Sequence, residues 1–108
     1  MSIPGPSQYS MTLADLLTYL HQQLLQGMGN EEWRKKQREG DSLLSVLCGL
    51  QDAATYHKDW KLFELLDDMI YVVAHVGMNI TWKAEAVLFR DLPKKLDDWQ
   101  KSQQAPDQ

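Results

Sequence analysis

The stretch that decides the fold is DWKLFELLDDMIYVVAHVG, residues 59–77. Its apolar residues recur at steps of three and four, the period of an α-helix, and they form two faces rather than one. These faces are Trp60, Phe63, Leu66, Ile70 and Val73, and then Leu62, Leu65, Met69, Val72 and Val76. We expect Asp59 to cap this helix and Gly77 to end it. A helix that is apolar on two sides is normally the central helix of a bundle, or it presents its second face to a partner.

An apolar stripe near the N-terminus predicts another helix. We expect Thr12 to be its N-cap and Gly27 and Gly29 to end it. The stripe consists of Leu13, Leu16, Leu17, Leu20, Leu24 and Met28.

The residues between these two helices predict a polar helix followed by an apolar one. Asn30 caps the polar segment, residues 31–39, and the apolar pattern covers residues 41–57. Gly40 stands between them, and we expect a joint there rather than a break, because glycine costs only about 1 kcal/mol relative to alanine inside a helix. Gly49 would allow close packing of the second segment against a neighbour.

The C-terminal part predicts a last helical region that begins with Thr81 as its cap. Its apolar residues are Trp82, Ala86 and Phe89, with Val87 and Leu88 beside them. A helix is favoured over a short strand at residues 86–89. Pro93 fits the first turn of a final short helix, because its missing N–H has no partner there. We expect Asp91 to cap that helix, which carries Leu96 and Trp99.

These patterns predict an all-α protein, a compact bundle or array of four to five helices in a single domain. The helical domain is expected at residues 12–101, after a flexible N-terminal arm at residues 1–11 and before a disordered polar tail at residues 102–108. A chain of 108 residues can bury roughly two thirds of its unfolded surface, which is enough for one core.

Charge and composition exclude several classes of protein. The chain has 11 Lys and Arg residues against 15 Asp and Glu residues, a net charge of -4, so nucleic-acid binding is disfavoured. The longest apolar run is far below the ~20 residues of a membrane helix, so we expect no membrane association. A single cysteine and the lack of a secretory signal predict a cytoplasmic protein.

Three carboxylates, Glu64, Asp67 and Asp68, share one side of the central helix at the spacing with which helical bundles hold Mg2+. The alternative function is therefore a metal-dependent nucleotide hydrolase of all-helical type. Such a site needs a second acidic pair on a neighbouring helix, and the sequence has none at the required spacing. We therefore expect a solvated helix face here, without metal, cofactor or catalytic residues.

The histidines and the cysteine offer no better catalytic pattern. His21, His57 and His75 include no pair four residues apart, as two zinc ligands on one helix would be. Cys48 lies between Leu47 and Leu50, in the most apolar run, and is expected in the core as an inert thiol.

The candidates for a protein interface are tryptophans and arginines in polar segments, because Trp and Arg are enriched at binding hot spots. Acidic residues surround the basic run of residues 34–38, so we expect a salt-bridged helix face there. Contact of this run with nucleic acid is a third functional hypothesis. The interface candidates are Trp33, Arg34, Arg38, Trp60 and Trp99.

The sequence thus favours a small interaction module without enzyme activity: a regulator, adaptor or inhibitor with an aromatic and apolar helical surface. The expected partner is another protein, and a homodimer is one way to cover the second apolar face of the central helix.

Overall fold

A computed structural model describes residues 6–39 and 43–104, and within them every regular element is helical. The elements are α1 (Pro6–Met28), α2 (Glu31–Arg38), α3 (Leu44–Tyr56), α4 (Trp60–Gly77), α5 (Thr81–Ala86), a π-helical turn (Val87–Asp91) and α6 (Leu92–Gln104). We call the continuous stretch from α5 through the π-helical turn to α6 the C-terminal helix. None of the described helices is long and apolar enough to cross a membrane.

α4 is the central helix, as its two apolar faces predict. Leu65, Leu66, Met69 and Val72 are completely buried. The other helices surround α4: α3 and α6 make the most extensive contacts, and α5, α2 and α1 also pack on it. The all-α bundle is therefore confirmed, and the second face of α4 is covered by the chain itself.

α1 begins at Pro6, ahead of the predicted start. Proline suits the first position of a helix, because its fixed φ is already helical and no N–H partner is needed there. Thr12 lies inside the helix, so its predicted role as the N-cap is wrong. The predicted stripe does face the core, with Leu17 and Leu24 completely buried. Residues 1–5 of the predicted arm and residues 105–108 of the predicted tail lie outside the described residues.

Asn30 is the N-cap of α2, as predicted: its side-chain oxygen accepts a hydrogen bond from the Trp33 N–H at 3.1 Å. α2 ends at Arg38 and α3 begins at Leu44, so the polar and apolar segments are separate helices. The predicted joint at Gly40 itself lies outside the described residues. Gln37 is buried near this connection and accepts the Leu43 N–H at 3.3 Å.

The turn between α3 and α4 depends on Lys58 and Asp59. Lys58 adopts φ 58°, and its N–H and that of Asp59 bond back to Thr55 and Ala54, which closes the last turn of α3. Asp59 then begins α4, because its Oδ1 accepts the Leu62 N–H at 3.2 Å. The predicted cap at Asp59 is confirmed.

α4 ends at Gly77, as predicted, and the turn that follows depends on Asn79. Asn79 adopts φ 61°, and the N–H groups of Asn79 and Ile80 bond back to Val76 and His75. This is the left-handed helix end that glycine or asparagine favours. Ile80, without a side-chain hydrogen bond, is the N-cap of α5, so the predicted cap at Thr81 is wrong by one residue.

The C-terminal helix passes through its π-helical turn without a break. Asp91 belongs to that turn and Leu92 donates its N–H to the carbonyl of Val87, five residues back. The predicted cap at Asp91 is therefore wrong. In an α-helix the Pro93 ring would clash with the carbonyl of Phe89, four residues earlier, and the wider turn avoids this clash.

α3 lies at the edge of the bundle, and two predictions about it are wrong. Cys48 is exposed, whereas Leu47 and Ala54 face the core. Gly49 has open space where a side chain would begin, so it serves no close helix contact.

Candidate interaction surface

The C-terminal helix carries two apolar stripes, and only one of them faces the core. The inner stripe, which is buried, consists of Ala84, Leu88, Leu92, Leu96 and Trp99. The other stripe, which we call the outer ridge, consists of Trp82, Ala86, Phe89 and Pro93, all exposed to solvent. Trp82 is 68% exposed and Phe89 is 59% exposed. Two large aromatic side chains on one uncovered helix face form the principal apolar surface of the C-terminal helix.

Charged side chains flank the outer ridge. Lys83 lies over the Trp82 ring, with its Nζ 5.4 Å from the ring centroid, a cation–π contact. Glu85 is exposed, and Arg90 has 76% of its side chain exposed. The Arg90 Nε donates to Asp91 Oδ1 at 2.9 Å. That hydrogen bond is the main cause of the lowered pKa of Asp91.

A second exposed aromatic cluster lies at the connection of α3 and α4. Tyr56 is 83% exposed and Trp60 is 55% exposed. Trp60 meets Phe63 edge to face with ring centroids 6.0 Å apart, and Phe63 is partly buried against the core. Trp60 is therefore the one predicted interface tryptophan that is largely open to solvent.

Trp33 packs within the chain. Its indole lies against Gly27 so closely that a Cβ there would be 2.2 Å from the Trp33 Cδ2 atom. The side chain is partly buried and joins the core from α2. Trp33 thus holds α2 against α1, while part of its side chain stays at the surface, and its role at an interface stays a prediction.

This contact predicts opposite effects for two matched glycine substitutions. Gly27→Ala forces the indole of Trp33 aside, so we expect a net loss of about 1–2 kcal/mol in the free energy of unfolding. Gly49→Ala adds a methyl group in open space within α3 and should stabilise by about 0.5–1 kcal/mol. Urea unfolding of both variants measures the difference, and equal effects would show that Trp33 does not rest on Gly27.

The predicted arginines pair within α2. Arg34 Nη2 and Arg38 Nη2 donate to the two carboxylate oxygens of Glu31 at 2.6 Å and 3.1 Å. Arg34 also donates to the Met28 carbonyl at the end of α1. The hydrogen bonds from Arg34 and Arg38 hold the pKa of Glu31 below its usual value. Glu31 thus pairs with two of the four cations of the basic run, as the salt-bridged interpretation predicts.

Trp99 is in the core, 2% exposed. Its indole N–H donates to Asp59 Oδ2 at 3.2 Å, across 40 positions of the chain. A side chain buried to this degree cannot contact a partner on the folded protein, so the prediction of Trp99 as an interface residue is wrong. The polar residues near Trp99 in the sequence lie on the outer side of α6.

The three carboxylates of α4 have different neighbours. Asp67 accepts a hydrogen bond from Gln51 of α3 at 3.3 Å, whereas Asp68 accepts one from Lys95 of α6 at 3.1 Å. Glu64 lines a small open pocket with Lys61, Lys95 and Asp98. Within residues 6–39 and 43–104, no group of three or more His, Cys, Asp or Glu side chains is placed to hold a metal ion.

Burial is the largest cause of the shifted pKa of two described groups, Asp68 and His21. Burial raises the pKa of Asp68 although the hydrogen bond from Lys95 acts in the opposite direction. Burial lowers the pKa of His21. Asp68 Oδ2 and His21 Nε2 are buried without a hydrogen-bond partner among the described residues. The two lie on different helices, α1 and α4.

No family model, curated protein or solved structure matches the chain.

The residues that sequence reasoning missed are those of the outer ridge. Trp82, Ala86 and Phe89 stand out in the sequence as the apolar set of the last helix, but a periodic apolar pattern does not say which of two stripes a fold buries. The available signal was the second stripe, Leu88, Leu92 and Leu96, along a different side of the same helix.

Proposed function

We propose that the protein is an interaction module without catalytic activity, a regulator, adaptor or inhibitor that binds another protein through the outer ridge. The observation that carries this proposal is the exposure of Trp82 and Phe89 on one face of a helix whose opposite face is anchored in the core. Helices that bind in a partner's groove present apolar residues at such intervals, seven apart for this pair. Tryptophan is also among the residues most enriched at binding hot spots.

The anchoring of the C-terminal helix supports the proposal further. Leu88 and Leu92 are completely buried, so the helix is already folded before a partner arrives. A rigid surface avoids the ordering cost that a disordered segment incurs on binding. Cys48 is a free, exposed thiol, which suits a reducing compartment, so we propose that the protein acts in the cytoplasm.

Site-specific photo-crosslinking tests the proposal. A photoreactive amino acid replaces Lys94, an exposed residue beside Pro93, and the chain is irradiated in cells of its native host. The matched control carries the same group in place of Asp52, exposed on α3. We expect a discrete adduct from position 94 that is absent from position 52. Equal labelling at both positions, or none at position 94, contradicts the outer ridge as a binding surface.

A further inference from the structure

We propose that the partner segment that covers the outer ridge is acidic, with Asp or Glu side chains beside large apolar ones. This inference rests on the proposed function, because it gives the chemistry of the partner of the same surface. It is carried by the charges around Trp82 and Phe89 and by the ion pairs in which those charges take part.

The ridge lies in a part of the chain where the sign of the charge reverses. Residues 81–96 contain four Lys and Arg residues against two Asp and Glu residues. The whole chain contains 11 against 15 and has a net charge of -4. The cations of this segment are Lys83, Arg90, Lys94 and Lys95, and its acids are Glu85 and Asp91. A positive surface on a negative protein favours a negative partner through its local field.

Two of these cations have partners within the chain. The Arg90 Nε donates to Asp91 Oδ1 at 2.9 Å, and the Lys95 Nζ donates to Asp68 Oδ1 of α4 at 3.1 Å. The bond from Lys95 belongs to the contact between α6 and α4. Lys95 is therefore engaged in holding the bundle together, and the recognition of a partner falls to the other cations.

Lys83 and Lys94 are the cations that remain for a partner. Neither makes an ion pair within the described residues. The Lys83 Nζ lies 5.4 Å from the centroid of the Trp82 ring, and Lys94 is exposed directly after Pro93. A carboxylate that pairs with Lys83 is held next to the Trp82 ring. One partner segment can therefore pair with the cation and cover the aromatic side chain.

Glu85 is the charge that opposes an acidic partner. It is exposed, three residues after Trp82 and four before Phe89, and it makes no ion pair with the described residues. A negative partner gains from its removal and loses from the removal of Lys83 or Lys94. The same surface thus predicts effects of opposite sign, which a merely apolar contact does not.

The charges favour a protein segment over the two alternative occupants. Anionic membranes are typically held by clusters of about four to eight Lys and Arg residues, whereas the ridge offers Lys83 and Lys94 against Glu85. A second copy of the chain would bring two surfaces of the same positive sign together. A short acidic segment meets neither difficulty.

Selection of peptides on the full chain tests the sign of the partner's charge. A phage-displayed library of random short peptides is panned on the wild-type chain, and binders are retained only if they do not bind Phe89→Ala. We expect the enriched peptides to combine large apolar residues with an excess of Asp and Glu. Enrichment of neutral or basic peptides, or of none that depends on Phe89, overturns the inference.

Charge variants then test the individual residues with one selected peptide. Fluorescence anisotropy measures its affinity, which should fall as the salt concentration rises. The double variant Lys83→Glu, Lys94→Glu should weaken binding at least about tenfold, and Glu85→Lys should strengthen it about threefold. Asp52→Lys makes the same change of charge on α3 and should leave the affinity unchanged. Unchanged affinity in the double variant, or equal effects of Glu85→Lys and Asp52→Lys, contradicts the inference.

Two further measurements identify a different occupant. If Phe89→Ala abolishes cosedimentation with vesicles of phosphatidylcholine and phosphatidylserine, the ridge binds a membrane. If it abolishes a dimer seen by sedimentation velocity, the ridge binds a second copy. Either result overturns the acidic segment.

The crosslinking experiment separates this inference from the proposed function. A discrete adduct from position 94, together with a ridge that selects no acidic peptide, retains the proposed function and removes only the charge of the partner. If neither an adduct nor a ridge-dependent peptide is found, both are wrong. Circular dichroism of each variant confirms that the fold is intact.

Discussion

Asp59→Ala is expected to lower the free energy of unfolding by about 2–4 kcal/mol. One carboxylate oxygen of Asp59 caps α4 by accepting the Leu62 N–H, and the other accepts the indole N–H of Trp99. Loss of an N-cap costs about 1 kcal/mol, and a buried donor left without an acceptor costs about 1–3 kcal/mol. Urea unfolding followed by circular dichroism measures the sum.

Two further variants divide this loss between its causes. In a chain with Trp99→Phe, which has no indole N–H, Asp59→Ala should cost only the cap, about 1 kcal/mol. Asp52→Ala, on the exposed face of α3, should change stability by less than about 0.5 kcal/mol. If Asp59→Ala costs the same with and without Trp99→Phe, the hydrogen bond between Asp59 and Trp99 contributes nothing measurable.

The contrast between Asp59 and Trp99 shows which features a sequence can predict. The cap of Asp59 is local, because donor and acceptor are three residues apart at the start of an apolar pattern, and it was predicted. The burial of Trp99 depends on a contact 40 positions away, which places α6 against the start of α4. No local pattern contains that contact, so the sequence could not distinguish a buried tryptophan in a polar segment from an exposed one.

Cys48 illustrates a related limit. The apolar run around Leu47 and Leu50 predicts a buried helix, and α3 does bury Leu47. This apolar run does not indicate how much of the surface of α3 the neighbouring helices cover. α3 packs mainly on α4, so one side of it stays at the edge of the bundle and Cys48 is exposed there. The helix was predictable, and the exposure of its outer residues followed from the arrangement of the bundle.

The spacing of the apolar residues in the C-terminal helix explains why its buried stripe was hard to predict. Trp82, Ala86 and Phe89 match the helical period of 3.6 residues closely, whereas Leu88, Leu92 and Leu96 recur every four residues. In a regular α-helix a four-residue repeat drifts around the axis by about 40° at each step. The π-helical turn holds more residues per turn and offsets part of this drift, which keeps the later leucines over the core. Pro93 is the local signal for that turn.

Leu88 and Phe89 are neighbours that belong to different stripes, so we expect their truncations to have very different effects. Leu88 is completely buried and Phe89 is 59% exposed. Leu88→Ala should lower the free energy of unfolding by about 2–5 kcal/mol, because it leaves a cavity in the core. Phe89→Ala should change it by less than about 0.5 kcal/mol. Thermal and urea unfolding of the two variants measure this difference.

The same pair of variants separates folding from binding. Phe89→Ala should weaken binding of the partner that crosslinks from position 94 at least about tenfold while the chain keeps its stability, since truncating a binding hot spot costs about 2 kcal/mol or more. Leu88→Ala should lose stability whether or not a partner is present. If Phe89→Ala destabilises the chain as much as Leu88→Ala, the aromatic ring packs in the core and the outer ridge does not exist. If Leu88→Ala is harmless, the π-helical turn does not hold the inner stripe over the core, and both stripes must be reassigned.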